Sequence, residues 1–150
     1  MTAFDESLYP CISIIKPNEY EASELTGIHV TDLDSAKEAG KWFLEKGVKE
    51  AAIITMGEKG AVLVTREGVK HLPGIPVKAV DTGGAGDTFA GALLAALSRG
   101  WPLEKSICYA QCASAICVTR ASTYAMTRQD EIDCLFKETY EKQEEKWRDL

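Results

Sequence analysis

Short apolar runs alternate with amphipathic segments along most of the chain. The apolar runs have the length and the β-branched content of buried strands. We expect these strands at residues 11–15, 51–55, 61–65, 69–72 and 77–80. The amphipathic segments carry apolar residues at helical spacing and predict helices at residues 18–27, 32–47, 88–99, 102–119 and 130–147. Strands that alternate with helices indicate an α/β fold with a largely parallel sheet.

Capping and turn residues bracket the first elements. Asn18 opens the first helix and Glu21 follows three residues later, which is the spacing of a capping box. Asp32 caps the second helix, and a glycine ends each of the two. Residues 57–60, Gly-Glu-Lys-Gly, join two apolar runs and predict an antiparallel hairpin.

Length, composition and charge limit the number of domains and the kinds of partner that the chain can have. The 150 residues favour one domain over 1–150, and 45% hydrophobic with 27% charged residues are typical of a globular chain. Seventeen Lys and Arg against 23 Asp and Glu give a net charge of −6 and a pI near 5.0. This acidic balance argues against nucleic acid or an anionic membrane as the main partner. The longest apolar run, residues 89–97, is too short to span a bilayer.

The N-terminal residues and the cysteines predict a cytoplasmic protein. Met1 is followed by Asp5 and Glu6 and not by the basic start of a signal peptide. The five cysteines form no Cys-x-x-Cys pair, and an odd number does not suit a disulfide framework. Three of them recur at near-helical spacing among apolar residues and are interpreted as core residues in preference to metal ligands: Cys108, Cys112 and Cys117.

A glycine-rich segment between a predicted strand and a predicted helix carries the strongest chemical signal. Residues 81–87 read Asp-Thr-Gly-Gly-Ala-Gly-Asp. Glycines allow a tight turn with several N–H groups aimed at one spot, and the N-terminus of the next helix adds partial positive charge. These features favour a phosphate beside Asp87, a carboxylate that can accept the proton of an attacking hydroxyl. In the alternative interpretation, Asp87 only caps the helix and the glycines only form a turn.

Other phosphate and metal motifs are absent from the sequence. No G-x-x-x-x-G-K-[ST] occurs, and Phe89 stands where G-x-G-x-x-G needs its third glycine. His29 and His71 have no G-x-S-x-G or H-E-x-x-H partner, and we expect them on the surface or in a strand.

Residues 81–93, DTGGAGDTFAGAL, resemble the C-terminal signature of the ribokinase family, the PfkB-type carbohydrate kinases. KPNEYEA and LTG within 16–27, and ITMGEKGA at 54–61, agree with the family in position and order. The resemblance runs from about residue 12 to residue 132 and is greatest to the ribokinase branch. It implies the C-terminal half of a ribokinase-like α/β fold, with a partial, mostly parallel central sheet flanked by helices. It also implies that the lid and the N-terminal half of that fold are missing from residues 1–150.

The resemblance also implies roles for individual residues in an ATP-dependent sugar kinase. Asp87 matches the catalytic base that contacts the acceptor hydroxyl, and Glu21 matches a residue that orders Mg²⁺ through water. The anion hole for the transferring phosphate is matched by Gly84, Ala85 and Gly86. The other positions matched to ATP contacts are Asn18, Glu21, Thr55, Met56, Gly57, Glu58, Lys59, Gly60 and Gln111. A monovalent cation, K⁺ in the family, is matched by Asp81, Gly83, Cys117 and Arg120.

Plain structural roles fit several of these positions equally well. Asn18 and Glu21 have the spacing of a capping box. Residues 57–60 suit an ordinary hairpin turn, and Gln111 an ordinary polar position on a helix.

Two departures separate the chain from a complete family member. Residues 120–127 lack the Gly-Ala pair and the proline that accompany the cation site in the family. The chain is also about half as long as a complete member, and the missing half carries the sugar-binding segment. An open sheet edge and an uncovered apolar face favour a homodimer or association with the missing N-terminal half.

Two classes of function are therefore expected. The first is an ATP-dependent carbohydrate kinase acting on ribose or on another acceptor, such as fructose, a ketogluconate or adenosine. The second is a truncated, non-catalytic nucleotide-binding or interaction module. The resemblance implies that the residues that select the acceptor lie outside this chain.

Overall fold

A computed structural model describes residues 4–121 and 127–148, without the side chains of 141–148. These residues form two compact units: unit 1 ends at Gly74 and unit 2 begins at Ile75. Unit 1 contains the four strands of the described chain, and unit 2 is helical. Most of the segment 120–127, where the family pattern is broken, lies outside the described residues, because 122–126 are not among them.

Unit 1 combines two helices with a four-stranded sheet. Its elements are a 3₁₀ helix (Glu6–Cys11), β1 (Ile14–Ile15), α1 (Glu19–Thr26), α2 (Leu33–Glu45), β2 (Ala51–Thr55), a second 3₁₀ helix (Gly57–Lys59), β3 (Ala61–Thr65) and β4 (Val69–Leu72). Asn18 and Asp32 each open their helix with a capping box, and Gly27 ends α1 in the left-handed conformation. The sequence signals for both helices are confirmed.

The sheet has the order β1-β2-β3-β4. Strands β1 and β2 are parallel, whereas β2–β3 and β3–β4 are antiparallel. The α/β prediction is confirmed, but the expectation of a mostly parallel sheet is wrong for the described strands. The reason is the length of the connections between the strands, because a parallel pair needs a crossover of about a dozen residues or more. Only β1 and β2 are separated by helices; the other pairs are joined by short turns.

The first strand is much shorter than the predicted 11–15. Cys11 ends the 3₁₀ helix, which Asp5 caps by accepting a hydrogen bond from the amide of Ser7 at 3.0 Å. Only Ile14–Ile15 pair with β2. Strand β1 is therefore an edge strand of the described sheet, and it ends just before Pro17.

Helix α2 packs on one face of the sheet. The buried residues of this interface come from alternate positions of β2 and β3 and from one face of α2: Ala36, Ala39, Phe43, Ala52, Ile54, Val62 and Val64. Gly40 allows the close approach, since an added Cβ would lie 2.9 Å from Cβ of Val64. The predicted apolar face of α2 is confirmed.

Unit 2 consists of α3 (Ala85–Ser98), α4 (Leu103–Val118) and α5 (Gln129–Arg148). Helix α4 packs against both α3 and α5. All three helices are confirmed, but α3 begins at Ala85 and not at residue 88, so that Gly86 and Asp87 belong to its first turn. None of the helices described is both long and apolar enough to cross a membrane.

The predicted strand at 77–80 does not form. The amides of Val80 and Asp81 instead donate to the carbonyl of Val118, at 2.7 and 3.1 Å. A carbonyl in the last turn of a helix has no partner within that helix. The end of α4 therefore takes the hydrogen bonds that a neighbouring strand would have taken.

Aromatic side chains join α5 to α4. Phe136 of α5 stacks on Trp101 and meets the edge of Tyr109, with ring centroids 5.6 Å apart in both pairs. The hydroxyl of Tyr109 donates to Asp133 at 3.2 Å. Ile132 and Phe136 are buried, which confirms the apolar stripe predicted for this helix.

All five cysteines are free. Cys108, Cys112 and Cys117 are buried and Cys11 and Cys134 are exposed, so the core interpretation of the three α4 cysteines is confirmed. Burial raises the pKa of the Cys108 thiol to about 11 and that of Cys112 to about 12.

Candidate functional site

The glycine-rich segment of unit 2 closes in a tight turn before α3. The amide of Ala85 donates to the carbonyl of Thr82 at 3.3 Å, and Gly84 has φ 77° and ψ −1°. These angles are those of the third residue of a type II turn, where glycine is favoured because φ is positive. Asp81 Oδ1 accepts from the amide of Gly83 at 2.8 Å and stabilises the entry to the turn.

Three main-chain amides at the start of α3 are available to bind a ligand. The N–H groups of Gly84, Gly86 and Asp87 make no hydrogen bond within the described residues, and all three residues are exposed. The amide of Ala85, which the resemblance includes in the anion hole, is occupied by the turn itself. Unpaired N–H groups and the dipole of the 14-residue α3 favour an anion here.

Asp87 is the third residue of α3 and is exposed. Its carboxylate makes no hydrogen bond or ion pair within the part of the chain that the structure describes. A capping side chain would accept a hydrogen bond from an amide of the first turn. The geometry therefore does not support the capping alternative, and the carboxylate is accessible from solvent.

Side chains of α4 contact the carbonyls of this turn. Ser114 Oγ donates to the carbonyl of Ala85 at 3.2 Å. Cys117 Sγ lies 4.0 Å from the carbonyl oxygen of Gly83 and accepts from Thr88 Oγ1 at 3.4 Å. Sequence reasoning missed Ser114, since a single hydroxyl on a helix face gives no signal before the fold is known.

The positions matched to a monovalent cation differ in their chemistry. Asp81 Oδ1 is bound to the amide of Gly83, whereas the carbonyl of Gly83 lies beside Cys117 Sγ. Arg120 is bound to Glu131, with Nη2 2.5 Å from Oε1. This hydrogen bond holds the pKa of Glu131 below its ordinary value. A guanidinium and a thiol do not coordinate a hard cation, so only main-chain carbonyls of Cys117 and Arg120 fit that role.

No cluster of three or more His, Cys, Asp or Glu side chains suited to a metal ion occurs among residues 4–121 and 127–140.

Gln111 lies on α4, in the interior. Its side chain is buried, with 8% of the residue exposed, and Oε1 has no hydrogen-bond partner among the described residues. A buried acceptor left without a donor costs about 1–3 kcal/mol. This position is therefore suited to a ligand that brings an N–H group.

In unit 1, Asn18 and Glu21 form the capping box that their spacing predicts. Asn18 Oδ1 accepts from the amide of Glu21 at 2.8 Å, and Glu21 Oε2 accepts from the amide of Asn18 at 2.9 Å. Within the described chain, Glu21 Oε1 makes no hydrogen bond. Asn18 also forms a parallel bridge with Thr55 at the end of β2. The three residues thus meet at the carboxyl ends of two parallel strands, where α/β folds bind ligands.

The loop after β2 is held by contacts within unit 1. Met56 is 1% exposed and its side chain belongs to the core. Lys59 Nζ donates to the carbonyl of Thr31 at 2.8 Å, and His71 Nε2 donates to the carbonyl of Lys59 at 2.7 Å. The predicted hairpin turn is confirmed, as is the exposed strand position of His71. The lysine ammonium is thereby tied to the protein's own main chain.

An open apolar depression of about 300 Å³ lies beside the end of β1. Its lining includes Ile15, Pro17, Tyr20 and Leu25. Tyr20 is 70% exposed. The pattern of the sequence did not reveal this surface.

The sequence profile of the pfkB family carbohydrate kinases matches residues 2–130. Ribokinase of Haemophilus influenzae is 41% identical over 133 residues, which cover 87% of this chain and 43% of that protein. The chain therefore spans less than half the length of this relative.

Two solved structures resemble the described fold. Ribokinase of Thermotoga maritima superposes with a TM-score of 0.81 at 33% identity, covering 91% of this chain and 46% of the other. Ribokinase of Arabidopsis thaliana, complexed with ribose and ATP, also gives 0.81, at 29% identity, covering 89% and 43%. These neighbours confirm the predicted fold class.

Proposed function

Because the chain belongs to the pfkB family of carbohydrate kinases, we propose that residues 1–150 form the C-terminal, nucleotide-binding and catalytic half of a ribokinase-like domain. The reaction is transfer of the γ-phosphate of ATP to a sugar hydroxyl. One observation carries this proposal: unpaired amides of Gly84, Gly86 and Asp87 stand at the start of α3 beside an exposed carboxylate that has no partner among the described residues.

In the proposed reaction, the acceptor oxygen attacks the γ-phosphorus while Asp87 takes the hydroxyl proton. A new O–P bond forms, the bond between the γ-phosphorus and its bridging oxygen breaks, and ADP leaves. The amides at the start of α3 stabilise the negative charge on the transferring phosphoryl group, because they are already in place and need no rearrangement.

Unit 1 contributes nucleotide contacts through Asn18 and Glu21 in this proposal. Glu21 keeps one carboxylate oxygen outside the capping box, which fits a contact to Mg²⁺ through water. When bound, Mg²⁺ neutralises charge on the phosphates. Thr55 and the loop Gly57–Gly60 would contact the nucleotide mainly through their main chain, since Met56 is buried and Lys59 is bound to Thr31.

We assign Gln111 to the base of the nucleotide. Its buried Oε1 has no partner within the described residues, and the exocyclic amine of adenine is a donor of the kind this oxygen lacks. For K⁺, the carboxylate of Asp81 and the main-chain carbonyl of Gly83 are oxygen ligands of the kind a hard cation takes, whereas the guanidinium of Arg120 is not.

Ribose is the proposed acceptor, because the chain resembles ribokinases and the structure of one of these is a complex with ribose and ATP. Fructose, a ketogluconate and adenosine are the alternatives. We propose a cytoplasmic location, on the strength of the cysteine pattern.

The second candidate function is a nucleotide-binding or interaction module without turnover. The edge strand β1 and the apolar depression beside it favour this candidate, since they suit association with a second copy or with the N-terminal half of a ribokinase-like domain.

The variant Asp87→Asn tests the kinase proposal. We expect phosphotransfer from ATP to ribose to fall about 10²–10⁴-fold, because a general base is worth that much in rate. The assay uses the 150-residue chain, alone and supplemented with the N-terminal half of a ribokinase. Asp34→Asn is the control, since Asp34 is also an exposed aspartate in the first turn of a helix. Turnover of Asp87→Asn within about tenfold of the parent would contradict the assigned role. MgATP binding by calorimetry without any turnover would favour the module.

The variant Asn18→Asp separates capping from nucleotide binding. Asp and Asn cap helices almost equally well, so thermal stability is expected to stay the same. The added negative charge opposes a polyphosphate, so the affinity for MgATP should fall. Equal affinity in both proteins would place Asn18 outside the nucleotide site.

A further inference from the structure

The two α4 side chains that contact the glycine turn stand on one face of that helix. Ser114 and Cys117 are three residues apart, so their side chains are neighbours on the helix surface. Ser114 Oγ donates to the carbonyl of Ala85 at 3.2 Å, and Cys117 Sγ lies 4.0 Å from the carbonyl oxygen of Gly83. Both contacts fall on carbonyls of the turn, at alternate residues.

A carbonyl fixes the direction of the next amide, because the peptide group is planar and trans. The carbonyl of Gly83 and the amide of Gly84 share one peptide plane and point in opposite directions. The carbonyl of Ala85 and the amide of Gly86 share another. When α4 holds the two carbonyls, the N–H groups of Gly84 and Gly86 point away from α4. These are two of the three amides that have no partner within the described residues.

The Gly83–Gly84 peptide is the more easily reversed of the two planes. Gly84 has the angles of a type II turn, and rotation of the central peptide by about 180° converts such a turn to type I. Glycine at both central positions removes the steric barrier to either form. The rotated form would present the oxygen of Gly83 to an incoming phosphate and withdraw the amide of Gly84. The contact with Cys117, which Thr88 Oγ1 orients through a hydrogen bond of 3.4 Å, favours the form with the amide outward.

We propose that Ser114 and Cys117 are positioning residues that set the direction of the Gly86 and Gly84 amides and so keep the turn in its phosphate-binding form. This inference rests on the proposed function, because it concerns the same phosphate site. Neither side chain touches the phosphate.

The test uses the 150-residue chain and two probes, inorganic phosphate and MgATP. Amide ¹H–¹⁵N shifts of Gly84 and Gly86 are followed during phosphate titration, and MgATP affinity is measured by calorimetry. Cys117→Ala should remove the phosphate-induced shift at Gly84, and Ser114→Ala the shift at Gly86. Each variant should weaken MgATP binding about three- to tenfold, the scale of one lost hydrogen bond, with the smaller effect from the longer sulfur contact.

Two further variants separate positioning from general damage. Ser114→Thr keeps the hydroxyl and should restore the affinity. Cys112→Ala removes an equally buried thiol of α4 that makes no side-chain hydrogen bond to the turn among the described residues, and it should change neither probe. If the parent chain binds MgATP but Ser114→Ala and Cys117→Ala bind it equally well with unchanged shifts, the inference is wrong and the proposed function stands. If the parent chain binds neither probe, the proposed function fails and the inference fails with it.

Discussion

Replacing Gly60 by alanine should destabilise unit 1 far more than replacing Gly57, although both glycines flank the same short loop. Gly60 has φ 91° and ψ −130°, a region that residues with a side chain rarely adopt. An added Cβ would lie 2.6 Å from the carbonyl carbon of Pro73 and would also collide with main-chain atoms of Leu72 and Gly74. These are backbone atoms that cannot rotate away.

The magnitude follows from these two effects. Positive φ costs a non-glycine residue about 1–2 kcal/mol, and forcing an atom into a packed site costs about 1–3 kcal/mol. Gly60→Ala should therefore lower the free energy of unfolding by about 2–5 kcal/mol. Gly57 has φ 52° but open space around its Cβ position, so Gly57→Ala should cost only about 1–2 kcal/mol.

Urea denaturation of the two variants measures the difference. With a slope of about 2 kcal/mol per molar urea, Gly60→Ala should lower the midpoint by about 1–2.5 M, and Gly57→Ala by about 0.5–1 M. Gly60→Ala should also weaken MgATP binding, since it displaces the loop assigned to the nucleotide. Equal midpoints for the two variants would refute the packing argument.

Two further predictions concern unit 2 and the cysteines. In the folded chain, the hydrogen bond from Arg120 lowers the pKa of Glu131. The pair therefore contributes its full stability above pH 4.5, the ordinary pKa of a glutamate. That contribution is lost as the pH falls through the lower pKa of the folded chain. The difference in urea midpoint between the parent and Glu131→Gln should therefore be largest near neutral pH and should disappear in acid. A difference that does not depend on pH would contradict this. Ellman's reagent at pH 8 should react quickly with the two exposed cysteines, Cys11 and Cys134, and should react with all five only in denaturant. The reason is that burial shields the three α4 thiols from the reagent and raises the pKa of Cys108 and Cys112. Rapid reaction of more than two thiols in the native chain would argue against the packing of α4.

Local signals predicted the helices and the hairpin well, because their causes are local. The capping box of Asn18 and Glu21 depends on residues three apart, and it forms as expected. Helix α3 begins at Ala85 and not at residue 88 as its apolar pattern predicts, since the turn at Gly84 leads straight into the helix.

Features that depend on distant partners were not predictable. The apolar alternation at 77–80 suggested a strand, but Val80 bonds to Val118 of α4, nearly forty residues away along the sequence. The hydrogen bonds of Ser114 with Ala85 and of Lys59 with Thr31 likewise join residues that are far apart in the sequence. For the candidate site, Asp87 and the glycines could be predicted from the sequence. The side chains of α4 that contact the glycine turn could be identified only from the fold.

The brevity of β1 restricts how another strand can join this sheet. Only Ile14–Ile15 are in strand conformation, and Pro17 has no N–H with which to extend a ladder beyond them. Main-chain pairing alone would give a joining strand little affinity, and selectivity must come from side chains that fit beside Tyr20 and Leu25. At the β1 edge, the same shortness leaves a stacked copy very little main chain to pair with.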